Sequence, residues 1–126
     1  MTEDELQAAL ERTTPVRERY GLVVEEARDQ DVRLRFSPPA EGWSTAALLT
    51  VAETSLRAAA GVEASLTHFN VTRLREPQQA DVIALSRVIR RDGGFVHAEA
   101  WLFSHAVVEA MLHATATLRT ADLQVR

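Results

Sequence analysis

Cysteine and lysine are both missing from this chain. Without cysteine there are no disulfides, thiolate nucleophiles or Cys-ligated zinc sites. Without lysine there is no Schiff-base chemistry, and all 14 basic residues are arginine. Proline (4) and glycine (5) are scarce, so each one marks a boundary. No run approaches the roughly 20 apolar residues of a membrane helix. The opening "MTEDELQAALER" lacks the basic start and apolar core of a signal peptide, so the expected location is the cytoplasm and no membrane partner is expected. A net charge of -4 and a pI near 5.5 lack the basic excess of a nucleic-acid-binding domain.

What is present is ordinary for a globular protein: 126 residues, 46% hydrophobic and 25% charged. That length fits a single domain over residues 1–126, without repeats or linkers. Residues 3–12 read as a short amphipathic helix on Leu6, Ala9 and Leu10, with Glu3, Asp4 and Glu5 suited to its positive end. Pro15 interrupts the pattern, and a second turn is expected to follow up to Gly21. "LVVEEARDQDVRLRF" reads as a hairpin, in which Val32, Leu34 and Phe36 alternate with Arg33 and Arg35. After the loop "SPPAEG" comes a long helix, 44–61, which Gly61 can cap. Four strands follow, over 63–75, 80–91, 94–104 and 107–120. The order of elements predicts an α+β fold, with a six-stranded antiparallel sheet wrapped around one long central helix.

The last two strands separate into two faces. Val96, Ala98, Ala100 and Leu102 point one way, with Val108, Ala110, Leu112, Ala114, Ala116 and Leu118. These are small enough for a helix to lie close. The other face carries Phe95, His97, Glu99, Trp101 and Phe103, then Val107, Glu109, Met111, His113 and Thr115. That is more apolar than a purely solvated face, and two readings are open: a contact surface between subunits, or the scattered exposed apolar residues common on any surface.

On a helical wheel, Ala46, Thr50, Glu53, Thr54 and Arg57 form one narrow seam, opposite Leu48, Val51, Ala52, Ser55, Ala58 and Ala59. Two readings of the seam are open. If it faces water, Glu53 and Arg57 are a surface pair contributing about 0.2–0.5 kcal/mol. If it faces a cleft, Glu53 can act as a general base on water or as a nucleophile, with Arg57 keeping it ionised. Ser44 or Thr45 is a helix N-cap candidate. The free N–H groups of that first turn, near Thr45 and Ala46, could hold an oxyanion. Such a combination would suit acyl transfer.

The quoted segments resemble the hotdog-fold acyl-CoA thioesterases, in particular the small phenylacetate-pathway type. "RERYGLVVEEARDQDVRLRFSP" is similar to that family's opening hairpin, and "STAALLTVAETSLRAAAG" to its central helix. "VTRLREPQQADVIALSRVIRRDGGFVHAEAWLFS" and "VVEAMLHATATLRT" are similar to its remaining strands. The family's helix start usually reads His-Gly-Gly, with an Asp or Glu seven residues after the second Gly. Here Glu53 matches the carboxylate, while Ser44, Thr45 and Ala46 stand in place of His-Gly-Gly. The resemblance implies a homodimer joined edge to edge through the strand near 63–75, with sites at the interface. The apolar outer face extends this expectation to a tetramer.

The function expected from the resemblance is hydrolysis of an acyl-CoA thioester, with coenzyme A arriving as part of the substrate and no metal or redox cofactor. Glu53, Thr45 and Ala46 are the candidate catalytic residues. Trp43, Ser44, Thr50, Thr54 and Arg57 are candidates for shaping the acyl site, although Trp43 could equally plug the core. Arg73, Arg75, Arg90 and Arg91 lie near strand ends, either solvated or placed to meet coenzyme A phosphates. The alternative is a catalytically silent hotdog module that binds an acyl thioester or another apolar ligand. A hotdog dehydratase would need a histidine facing Glu53. His68, His97, His105 and His113 lack metal-ligand spacing; His68 could reach the dimer cleft, and His97 and His113 are expected to share the outer face as neighbours.

Overall fold

The computed structural model describes residues 2–13, 20–104 and 109–120. Within them run helix α1 (Glu3–Thr13), strands β1 (Val23–Ala27) and β2 (Asp31–Phe36), and helix α2 (Thr45–Ala60). Strands β3 (Ser65–Arg73), β4 (Val82–Asp92), β5 (Phe95–Ser104) and β6 (Ala110–Arg119) follow. All pairings are antiparallel, in the order β1-β2-β4-β5-β6-β3. The α+β fold with six strands around one long helix is therefore as expected. The turn expected after Pro15, and His105, Val107 and Val108, lie outside the described residues.

Helix α2 starts where Ser44 caps it: the Ser44 hydroxyl accepts from the Ala47 N–H at 3.1 Å. It ends at Gly61, whose φ of 143° suits only glycine and whose N–H reaches the Arg57 carbonyl at 2.8 Å. Its buried side is Leu48, Val51, Ala52, Ser55, Ala58 and Ala59, as the wheel predicts. That side packs across β2, β4, β5 and β6. The sheet meets it with Ala84, Ser86, Ala98, Ala100 and Ala114, all buried. Small residues on both sides let the helix lie close. One polar contact crosses this dry layer, where the buried Ser86 hydroxyl donates to the Ser55 carbonyl at 2.7 Å. Leu48 and Val51 are fully enclosed, and truncating such a leucine to alanine costs about 2–5 kcal/mol.

The two sheet edges differ. β1 has five residues, a register shift between Val24 and Glu26, and a cover provided by α1. Gln7 of α1 donates to the Leu22 carbonyl at 3.0 Å and accepts from the Val24 N–H at 2.7 Å. Glu3 accepts from the Ala27 N–H at 3.2 Å. β3 has nine residues, and no described strand or helix pairs with its free side.

The inner face of β5 and β6 follows the expected alternation from Val96 to Leu102 and from Leu112 to Leu118. Met111 is a correction: it is buried, not part of the exposed outer face. A register shift between Leu102 and Phe103 breaks the alternation there, leaving Met111 and Leu112 both buried. The Met111 carbonyl accepts from the N–H groups of Leu74 and Arg75.

Candidate active site

The loop entering α2 is pinned from the β3–β4 connection. The Trp43 N–H donates to Gln79 Oε1 at 3.0 Å, and its indole N–H donates to the Ala80 carbonyl at 2.8 Å. Gly42 sits at φ 86°, where a Cβ would come within 2.6 Å of Gln79 Oε1, so glycine is required. Trp43 itself is buried and stacks on Tyr20 with centroids 5.5 Å apart. Of its two expected placements, the structure shows the core plug.

The helix start beyond Trp43 is open. Ser44, Thr45 and Ala46 are exposed. The Ala47 N–H goes to the Ser44 hydroxyl and the Leu48 N–H to the Ser44 carbonyl. The N–H groups of Thr45 and Ala46 have no acceptor among the described residues, and they carry the partial positive charge of the helix end. Arg73, at the end of β3, donates to the Thr45 hydroxyl at 2.9 Å and pairs with Glu76.

Farther along the seam, Thr50 is exposed and Glu53 keeps 44% of its side-chain surface. Arg57 follows at 23%, with its Nη1 3.7 Å from the Glu53 carboxylate and its Nη2 donating to the Val62 carbonyl at 3.0 Å. Thr54 departs from the expected seam: it is buried, and its hydroxyl bonds the Thr50 carbonyl at 2.9 Å. At 100° per residue it falls on the flank that the protein covers.

Both ends of the seam touch the segment that carries the open edge. Thr45 meets Arg73 at the end of β3, and Arg57 meets Val62 just before its start. Leu66, Phe69 and Val71 of β3 are partly buried against the core on the same side of the sheet as Leu118, Ala116 and Ala114. Seven residues separate Ala46 from Glu53, which is about 10 Å of helix rise. Donors and carboxylate of one helix therefore cannot hold the same carbonyl group. This corrects the single-helix site read from the wheel, which gives direction around the axis but not separation along it.

The four candidate arginines do not converge. Arg73 lies opposite Leu112, while Arg91 lies opposite Val96 in the row of Leu118. Six strand residues separate those rows, about 20 Å. Arg75 pairs with Glu109 at 2.6 Å, and Arg90 lies 3.9 Å from Asp92 and 3.3 Å from His97. Arg91 lines a groove of about 310 Å³ at the C-terminal end of α2, with Gly61 and Val62. Arg73 alone of the four joins the helix start, a contact across 28 residues that no local pattern announces.

The outer face carries its own network. His113 stacks on Trp101 at 3.8 Å and bonds Glu99 at 3.0 Å, and Arg87 bonds the other Glu99 oxygen at 2.7 Å. The His113 bond, with Arg87 behind it, holds the Glu99 carboxyl below the usual carboxylate range against a partial cost of burial. His68 and His97 both lie opposite Thr117, while His113 lies opposite Trp101. His97 and His113 thus share the face without being neighbours, and His68 turns away from α2. No described histidine faces Glu53. Among the described residues, no three His, Asp or Glu side chains gather as metal ligands. A groove of about 330 Å³ on this face, lined by Leu85 and Trp101 among others, includes none of the candidate site residues. No described helix is long and apolar enough to cross a membrane.

No family model matches the chain, and no curated protein is similar to it in sequence. Solved structures are similar in fold. Zebrafish thioesterase superfamily member 2 is 12% identical with a TM-score of 0.83, covering 96% of this chain and 99% of that one. A candidate thioesterase from Silicibacter sp. TM1040 is 19% identical with a TM-score of 0.80, covering 94% and 91%. A mutant thioesterase from Pseudomonas aeruginosa is 14% identical with a TM-score of 0.77, covering 94% and 93%. The six-stranded antiparallel sheet with its packed central helix is the hotdog fold of these thioesterase-superfamily structures.

Proposed function

We propose that this chain is a cytoplasmic acyl-CoA thioesterase acting as a homodimer joined through β3. The observation that carries the reading is the open helix start, with unpaired N–H groups at Thr45 and Ala46, on the same side as the half-exposed Glu53 and the free edge strand. Pairing β3 with its copy about a two-fold axis sets two α2 helices antiparallel. One helix start then approaches the Glu53 region of the other, which resolves the separation of about 10 Å within a single helix. The carbonyl oxygen of the thioester accepts from the Thr45 and Ala46 N–H groups of one copy. Glu53 of the other activates water, which adds to the carbonyl carbon; the C–S bond breaks, and the thiolate leaves and takes up a proton. Ser44 fixes the helix start, Thr50 lines the cleft, and Arg73 holds Thr45 and adds positive charge for the coenzyme A phosphates. The exposed Leu85, Ile89 and Trp101 of the outer face offer a second contact by which dimers form tetramers.

Free-thiol release from an acyl-CoA panel tests the reading. We expect turnover by the native chain and a loss of about 100-fold or more in kcat for Glu53→Ala, as for other general bases. Full activity in that variant sinks the assignment. A silent binding module is favoured by one observation: Thr45 and Ala46 put side chains beside the donors, and Arg73 engages the Thr45 hydroxyl. A ligand-induced rise in melting temperature without turnover would select it.

A further inference from the structure

Arg57 holds more hydrogen-bonding capacity than the described residues use. A guanidinium has five N–H bonds. Here one described acceptor, the Val62 carbonyl, takes a bond from Nη2. Nη1 lies 3.7 Å from Glu53, close enough for an ion pair but too far for a hydrogen bond. Nε is buried with no acceptor. A buried donor without a partner is rare and calls for a cause.

The charge points the same way. Glu53 is the one carboxylate within ion-pair distance of Arg57 among the described residues. In the proposed hydrolysis Glu53 takes up a proton from water and loses its charge. At that moment the half-buried guanidinium has no counter-ion.

We propose that Arg57 selects the acyl group, and that this group ends in a carboxylate. Arg57 lies one turn from Glu53 on the seam, about 6 Å along the axis. A short ω-carboxyacyl chain with its thioester carbonyl at Glu53 brings its far end to the guanidinium. The terminal carboxylate restores the counter-charge and accepts from the guanidinium Nη groups, which the described residues leave with spare donors. This rests on the thioesterase reading of Glu53 and adds the substrate class to it.

The test compares length-matched pairs: glutaryl-CoA with valeryl-CoA, and adipyl-CoA with hexanoyl-CoA. The native chain is expected to favour the carboxylated member of at least one pair by about tenfold or more in kcat/KM, the size of one charge-assisted bond. Arg57→Met is expected to abolish that preference, read as the ratio of kcat/KM within each pair whatever the absolute rates; Arg57→Lys is expected to retain part of it. Equal turnover of both members by the native chain overturns the proposal, as does a preference that survives Arg57→Met. Loss of the dimer in Arg57→Met with an unchanged ratio also overturns it, since the acceptor is then the partner copy. If no acyl-CoA is hydrolysed, the thioesterase reading falls separately, and thermal shifts decide between the pair members. A larger shift with glutaryl-CoA than with valeryl-CoA supports the selection, and equal shifts overturn it.

Discussion

The two edges of the sheet are managed in opposite ways. β1 is short, bulged and clasped by Gln7 and Glu3 of α1, so its outer amides already have acceptors. β3 is almost twice as long, and although it too shifts register, between Leu66 and His68, no described helix or strand clasps its outer side. It contains no proline, lysine or acidic residue, the usual means of blunting an exposed edge. The open edge is the one that the proposed dimer pairs, and the candidate site lies on its side of the sheet.

The largest expected effect comes from closing the open edge. Neighbouring residues of a strand aim their N–H groups to opposite sides. Of Asn70→Pro and Val71→Pro, one therefore removes a bond to β6 and the other a bond on the free side. The free-side variant should be a folded monomer by analytical ultracentrifugation, with thiol release down about 100-fold or more, because proline breaks strand pairing and the site needs two copies. If both variants remain active dimers, β3 is not the interface.

Opening the closed edge comes next. Gln7→Ala leaves the Leu22 carbonyl and the Val24 N–H without their partner, and should cost about 2 kcal/mol in urea unfolding. It should also raise light scattering at high concentration, since β1 becomes a second sticky edge. Unchanged stability would mean that the clasp does not distinguish the edges.

A smaller effect follows from pH. Burial pushes the Glu25 carboxyl upward, but bonds from Arg35 at 2.6 Å and Arg33 at 2.8 Å outweigh it and hold the group below the usual range. A lowered folded-state value means stability that is present above the ordinary Glu pKa of about 4.3 and lost as pH falls through the lowered one. Hydrogen exchange of the β1 amides should therefore accelerate below about pH 4, relative to β3, which carries no carboxylate. Glu25→Gln should remove the difference.

Arg73→Ala is the mildest. Its ion pair is exposed, so stability should change by less than about 1 kcal/mol. Activity should fall further than stability, because Thr45 at the candidate donor site loses its bond to β3.

Much of this was legible in the chain. The hairpin at Val32–Phe36, the long helix and the inner face from Val96 to Leu102 all follow from periodicity, because a buried face repeats with the period of its element. The Ser44 cap and Gly61 terminus were readable from residue type. Met111 was not, since one extra residue near Leu102 inverts a two-residue period and leaves no local mark. Thr54 was misplaced because a wheel shows angle but not how far a neighbouring layer reaches. The Gln7 clasp and the Arg73–Thr45 bond join residues 17 and 28 apart, distances at which local pattern carries no information. Within the candidate site, the place of Glu53 on the seam was readable, whereas its separation from the donors needed the rise of the helix.

The Ser86–Ser55 bond has a consequence well beyond its own strength. It is the polar point of contact in a layer otherwise made of alanine, leucine and valine, and a smooth apolar layer resists sliding poorly. If α2 slipped by half a turn, about 2.7 Å, no carbonyl would stand opposite the Ser86 hydroxyl, which would be stranded in the dry core. The same slip would carry Thr45 and Glu53 along the cleft by an equal step. The hydroxyl therefore works as a detent: it sets where along its track the helix stops, and so calibrates a site that it never touches.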